Sequence, residues 1–216
     1  ITCNTFLRNS EAFALEKYLY FLGELSPDGL LVADPGIFAA ARRFSPHIPI
    51  HISTQANTTS IAGARFWAEL GAKRVVAARE LSLEEIRAIS CNCPIEIEAF
   101  VHGAMCVSIS GRCLLSNFMA GRDANRGHCA HACRWRYAVM EESRPGRYFP
   151  IDEDARGTYL FNSRDLCMIA HIPEMIDAGI AAFKIEGRMK GLNYLATTVK
   201  AYREAIDAAI DPKLFN

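Results

Sequence analysis

The chain contains no run of about 18 apolar residues, which argues against a transmembrane helix. Its first residues, "ITCNTFLRN", lack a basic stretch followed by an apolar one, so they do not read as a signal peptide. They also lack an initiator methionine, for which a trimmed chain or a fragment is the simplest explanation. Charge of one sign is missing too: Lys plus Arg number 24 and Asp plus Glu number 24. No overall field therefore draws the chain to nucleic acid or to a membrane surface, and any basic surface has to be local. Three motifs are absent as well. There is no HExxH zinc-protease helix, no GxSxG nucleophile elbow and no Gly-rich dinucleotide loop after an early strand.

What is present is a core and an unusual set of thiols. Half of the 216 residues are hydrophobic, enough for one domain with a sizeable interior. Eight cysteines without a secretory signal point to a reducing, cytoplasmic compartment, where cysteine clusters bind metal or do redox chemistry more often than they pair as disulfides. Cys3, Cys91 and Cys93 read as packed or incidental thiols, since free cysteine behaves as a small hydrophobe.

Short apolar runs alternate with helical spacing. Strands are expected at 1–6, 29–34, 48–53, 73–78, 94–101 and 181–186, and helices at 10–24, 36–44, 57–70, 82–90, 165–178 and 190–210. Ser82 with Glu85 three residues on forms a capping box, and Gly71 and Gly179 stand where left-handed C-caps precede strands. Repeated strand–helix units imply an α/β fold with a parallel sheet. With no dinucleotide loop to favour an open sheet, a (β/α) TIM-type barrel is preferred, incomplete because about six of its eight strands are present. Amino-terminal strands would then be missing from a single domain spanning 1–216. The stretch 102–163 breaks the βα rhythm at the carboxyl end of the fifth strand, where barrels carry their chemistry, and reads as a functional insert rich in cysteine.

Cys106, Cys113, Cys129, Cys133 and Cys167 fall in or near that stretch. A zinc site would normally show two close pairs, and only Cys129 and Cys133 form one. Iron–sulfur clusters accept wider spacings. Spacing alone leaves cluster, zinc and unliganded thiols all open.

The blocks "EAFVHGAMCVSISGRCLLS", "DGLLVADPGIF", "HISTQANTTS", "RVVAARELS", "GRDANRGHCAHACRWRY", "FNSRDLC" and "FKIEGRMKG" resemble, in order, those of the collagenase-like peptidase family U32, across nearly the whole chain. The stretch from "RWRYAVMEESRPGRYF" to "FNSRDLC" is especially similar to the tRNA-hydroxylating branch of that family. The resemblance implies a 4Fe-4S cluster, prephenate as hydroxyl donor, and oxygen-independent hydroxylation of a tRNA wobble uridine to 5-hydroxyuridine. Other branches act on a ribosomal RNA cytidine or on ubiquinone precursors. Matched block by block, the implied ligands are Cys106, Cys113, Cys129 and Cys167, with Cys133 as the alternative to its neighbour Cys129.

The remaining candidates are handles for these substrates. Prephenate is a dicarboxylate, which arginine's fork matches. Arg79 and Arg188 follow the fourth and last strands, Lys184 and Glu186 alternate along the last, and Gln55 and His51 flank the end of the third. For RNA, the arginines of 122–147, Arg134 and Arg136 among them, are interleaved with Trp135 and Tyr137, and Tyr148 follows. Such groups can hold phosphates and stack an unpaired base. His102 and Glu98 are the candidate proton-handling groups beside Cys106. A cysteine peptidase would need His102 to activate Cys106, and a non-catalytic RNA-binding module would need only a structural metal.

Overall fold

Six parallel strands follow one another across a sheet in the order of the chain. The structure, a computed structural model, describes residues 1–106, 108, 112–135, 137–150, 153–154, 157–158 and 165–211. Arg136 and residues 161–164 of the "FNSRDLC" block lie outside the described residues. The parallel strands are β1 (Thr2–Cys3), β2 (Leu30–Val32), β3 (Ile50–Ile52), β4 (Arg74–Val76), β5 (Glu96–Gly103) and the late strand β11 (Ile180–Ile185). Each lies within or across one of the six expected runs. Helices α1 (Ala12–Leu25), α2 (Pro35–Phe44), α3 (Ile61–Glu69) and α4 (Leu83–Asn92) connect the first five.

Local chemistry sets these boundaries. Asp34 Oδ1 accepts hydrogen bonds from the Gly36 and Ile37 amides at 2.7 and 3.1 Å, and Pro35 supplies a pre-set φ at the first turn of α2. The expected capping box forms: Ser82 Oγ accepts from the Glu85 amide at 3.3 Å and Glu85 Oε2 from the Ser82 amide at 2.7 Å. Helix α3 starts four residues later than the spacing predicts, because Ser60 caps it by accepting from the Gly63 amide. Gly71 and Gly179 take left-handed φ values of 90° and 78°, as the C-caps require.

Strand periodicity sorts side chains between two faces. On one, Leu30, Ile50, Ile52, Val75 and Ile97 are buried in a single core with Leu19, Phe38, Trp67, Ile86 and Met175 from the helices. Burying each such large side chain is worth roughly 1.5–3 kcal/mol. On the other, the register aligns Thr2, Leu31, His51, Arg74 and Glu96 in one row. A doubly wound sheet reverses its strand order; among the described residues the order of the parallel strands never reverses. Among the described residues β1 and β11 each pair along one edge only, so the closure of the expected barrel is not seen. What the structure contains is a mostly parallel α/β sheet.

The helix expected over 165–178 is corrected. Leu166–Cys167 form a strand, β10, antiparallel to the end of β5, with Cys167 opposite His102. A 3-10 turn (Ile169–His171) follows, and the helix α6 spans only Ile172–Asp177. Pro173 stands in its first turn; a helix begun at 165 would place that ring in the interior, where it removes a hydrogen bond and clashes. Between β5 and β10 the described residues form no βα unit. They make the short helix α5 (Leu115–Ala120), two 3-10 turns, a hairpin of β6 (Ala138–Met140) with β7 (Tyr148–Pro150), and the pair β8 (Glu153–Asp154) with β9 (Gly157–Thr158). The last helix, α7 (Leu192–Ile210), follows β11.

Candidate functional site

The turns that leave the carboxyl ends of β1, β3, β4, β5 and β11 surround a cavity of about 280 Å³. Gln55 comes from the 3-10 turn after β3, Arg79 from the loop after β4, Cys106 from the chain beyond β5, and Glu186 and Arg188 from the turn after β11. The segment between β5 and β10 closes the other side with Cys113, Cys129, His131, Cys133 and Arg134. Gly103 makes the approach of β5 to β11 feasible: its φ is 103°, and a Cβ there would run into the Glu186 carbonyl.

Beneath the cavity, the polar face of the sheet is a charge network. Arg74 donates to Glu96 Oε2 through Nε and Nη2 at 3.0 and 2.8 Å, and through Nη1 to Glu98 at 3.4 Å. Lys184 Nζ donates to the other Glu98 oxygen at 2.9 Å. The Glu98 side chain is 12 % exposed, so this largely buried carboxylate has the two cationic partners that desolvation demands. It does not line the cavity, whereas Lys184 does. One residue farther out on that face, the Phe100 ring lies 4.1 Å from the Arg79 guanidinium, a stacked cation–π contact. His51 sits in the same row, and burial, then Arg74, pushes its imidazole pKa down.

Three cavity residues carry buried polar atoms with no hydrogen-bond partner among the described residues: Arg79 Nε, Arg134 Nη2 and Glu186 Oε2. Glu186 and Arg134 are engaged through their other atoms. Glu186 Oε1 accepts from the Arg188 amide at 3.0 Å, and Arg134 Nη1 pairs with Asp165, which also accepts from Lys190 Nζ at 3.0 Å. An unpaired buried donor or acceptor is costly, and three around one cavity mark it as a place for a polar ligand. Gln55 is less available, since its side-chain oxygen accepts from Asn4 Nδ2 at 2.7 Å.

The thiols divide. Cys106, Cys113, Cys129 and Cys133 all line the cavity, each as a thiol outside any disulfide. Cys167 is exposed on β10, outside the cavity lining, with its sulfur 3.9 Å from the Tyr202 hydroxyl. No three His, Cys, Asp or Glu groups among the described residues stand close enough to grip one metal ion. Four thiolates about 2.3 Å from a single zinc would have to be nearer together. A cluster of several iron and sulfide atoms takes its thiolates from farther apart, and four thiols facing one cavity fit it in number and chemistry. The supporting contacts are specific: Asn125 exchanges hydrogen bonds with both backbone groups of Cys113 at 3.1 and 2.9 Å, and Cys129 Sγ accepts from the His131 amide at 3.3 Å.

His102 is not brought to Cys106. Its Nδ1 lies 3.2 Å from the Tyr202 hydroxyl, and its ring packs against Tyr194 and Tyr202. The Tyr202 hydroxyl donates to the Val101 carbonyl at 2.7 Å and accepts from the Met168 amide at 3.0 Å, and burial pushes its pKa up to about 12. His102 thus orients the β5 terminus. Burial also pushes the Cys106 thiol up, the opposite of what an activated nucleophile needs. Trp135, 45 % exposed, and Tyr148, 68 % exposed, stand at the surface and not in the cavity. Sequence reasoning missed His131, Phe100 and Met105 as lining residues. For His131 the available signal was its place between two cysteines in "HCAHAC".

A mostly parallel α/β sheet with thiols, arginines and a carboxylate converging at the strand ends defines an α/β protein with a cysteine-lined cavity. The family model described as Peptidase family U32 matches residues 1–215, and the chain belongs to that family. It is similar to tRNA hydroxylation protein P1 of Bacillus subtilis, 44 % identical over 100 % of this chain and 51 % of the relative. It is also similar to tRNA hydroxylation protein P of Escherichia coli, 40 % identical over 89 % of this chain and 51 % of that protein. A 23S rRNA 5-hydroxycytidine synthase of Escherichia coli is 36 % identical over 99 % of this chain and 31 % of its own length. The chain thus spans about half the length of the first two of these relatives. No helix among the described residues is long and apolar enough to cross a membrane.

Proposed function

We propose that this chain carries the reaction site of an RNA hydroxylase of the tRNA-modifying kind, which converts a wobble uridine to 5-hydroxyuridine with prephenate as hydroxyl donor. The observation that carries this reading is the meeting of four cysteine thiols with Arg79, Arg134, Arg188 and Glu186 around one cavity. The names of the relatives support RNA as the substrate. Cys106, Cys113 and Cys129 hold a 4Fe-4S cluster, with Cys133 as the fourth thiol on the cavity wall and Cys167 as the fourth by family resemblance. When bound, such a cluster supplies one-electron exchange at a potential tuned by its surroundings.

The other residues bind and orient. Arg79 and Arg134 direct unpaired donors at the carboxylates of the donor, where a guanidinium fork is most effective. Glu186 Oε2 accepts a hydrogen bond from the donor's hydroxyl and so fixes which face it presents. Lys184, tied to Glu98, adds positive potential at the cavity floor. Trp135 and the exposed arginines beyond the cavity meet the anticodon loop, whose unpaired base needs no duplex opening. The peptidase reading loses its base, because His102 is turned to Tyr202.

The test is anaerobic purification with iron and sulfide analysis, followed by nucleoside mass spectrometry of tRNA and of 23S rRNA incubated with prephenate. We expect about four irons per chain, loss of iron in Cys106→Ser, and 5-hydroxyuridine in tRNA. Comparing Cys133→Ser with Cys167→Ser identifies the fourth ligand. Zinc or no metal in the intact protein would sink the cluster assignment, and hydroxycytidine alone would move the substrate to ribosomal RNA.

A further inference from the structure

Helix α5 belongs to the rim of the thiol-lined cavity, since the chain on both sides of it lines that cavity, through Cys113 before it and Ala124 after it. Its inner face is fixed. Cys113 and Ser116 are buried, and Ser116 Oγ accepts from the amide of Ala130, which lies between the cavity residues Cys129 and His131. Its outer face is apolar and uncovered. Leu114 and Phe118, one helical turn apart, are 76 % and 85 % exposed, and Phe118 is the most exposed large hydrophobic side chain among the described residues.

Two exposed arginines frame this helix in the chain. Arg112 precedes Cys113, and its Nε donates to the carbonyl of the cavity residue Gln55 at 3.2 Å; Arg122 follows the left-handed cap at Gly121. Arg126 and Arg134 of the same segment are paired with Glu11 and Asp165, whereas Arg112 and Arg122 form no ion pair among the described residues. Asp123 is the one acidic residue in 112–134, and its carboxylate is used as a cap, accepting from the Asn125 amide at 2.9 Å. In a chain without net charge, positive charge is thus left uncompensated beside an exposed ring. An apolar partner would match the ring but not the guanidinium groups; an unpaired nucleotide matches both, with its base on the ring and its phosphates on the arginines. We propose that Phe118 is a stacking platform for an unpaired base of the RNA substrate, with Arg112 and Arg122 on the adjoining phosphates. This rests on the RNA-hydroxylase reading and adds to it where the strand lies outside the cavity. From Cys113 to Phe118 the chain is mostly helical and advances roughly 1.5 Å per residue, so the platform is displaced by roughly 8 Å along the helix axis and one strand can reach both.

The test is fluorescence-anisotropy titration of the full chain with a labelled anticodon stem-loop RNA carrying uridine at the wobble position, beside a fully paired RNA duplex of equal length, both without prephenate. We expect the stem-loop to bind at least about fivefold more tightly than the duplex, whose bases are already stacked. Phe118→Ala and Phe118→Leu should each weaken the stem-loop by at least about fivefold, and Phe118→Trp should retain it, because stacking needs a π-face and not merely an apolar side chain. Arg122→Ala should lower the slope of log affinity against log salt by about 0.7. Since the ring is exposed, all three Phe118 proteins should melt where the unaltered protein does. Equal affinity for stem-loop and duplex, undiminished affinity in Phe118→Ala or Phe118→Leu, or an unchanged salt slope in Arg122→Ala would each overturn the platform. In those cases stem-loop binding by the unaltered chain leaves the RNA-hydroxylase reading standing, whereas failure of the unaltered chain to bind either RNA overturns both. Undiminished RNA affinity with altered sedimentation of Phe118→Ala would give the patch to a second copy of this chain instead.

Discussion

Residues 30–103 place their backbone groups in a parallel ladder and in capped helices, with one apolar core behind them. The described residues of 104–150, which carry the cavity's four thiols, form a six-residue helix, two 3-10 turns and a short hairpin. They rely on side-chain clips: Asn125 on both backbone groups of Cys113, Ser116 Oγ accepting from the Ala130 amide at 2.9 Å, and ion pairs from Arg126 to Glu11 and Arg134 to Asp165. The first region draws its stability from buried area, which is insensitive to any single polar group. The second depends on a few contacts and on whatever its thiols bind. The cavity's thiols thus sit on a segment that the sheet positions but does not itself hold.

Cutting into the core should have the largest effect. Ile97→Ala removes a buried side chain between the sheet and its helices and should lower the unfolding free energy by about 2–5 kcal/mol, read by urea denaturation. Asn125→Ala should cost about 1–2 kcal/mol in the local opening of residues 104–135. Hydrogen exchange should show that opening while protection in β2–β5 is retained; an equal loss of protection in the strands would mean that the two regions unfold as one unit. Ser82→Ala removes the capping box of α4 and should lower stability by about 1 kcal/mol.

The smallest effect should come from His51. Burial and the neighbouring Arg74 lower its pKa in the folded state, although Glu98 and Glu96 pull the other way and Lys184 adds to the lowering. The folded protein therefore binds fewer protons there than the unfolded chain. The stability His51 contributes is full above the unfolded pKa of about 6.5 and is lost as pH falls below it. His51→Asn should flatten that acid limb in a pH series of thermal melts without abolishing it.

All six parallel strands were legible in the sequence, because each is a short apolar run set between helical spacings and turn residues. So were the Ser82–Glu85 box and the glycine C-caps, which are chemistry within a few residues. The short strand at Leu166–Cys167 was not legible, since two residues carry no period and their partner is the distant end of β5. Of the candidate site, the thiols and Arg79, Lys184, Glu186 and Arg188 were readable by type and by their place at strand ends. His102 looked available to Cys106 in sequence, four residues away, but the tyrosines that occupy its ring come from α7, some 100 residues on.

The sequence alone determined the class of fold, the alternation that separates an apolar face from a polar one, and the set of thiols. These follow from local periodicity and residue chemistry, which need no knowledge of distant neighbours. Tertiary structure decided which groups became partners. It paired Glu98 with Arg74 and Lys184, left Arg79, Arg134 and Glu186 each with one buried atom unpaired among the described residues, and placed Cys133 on the cavity wall while Cys167 went to the sheet edge. Burial and hydrogen-bond satisfaction depend on what the rest of the chain brings within about 3 Å, and that is a property of the folded molecule.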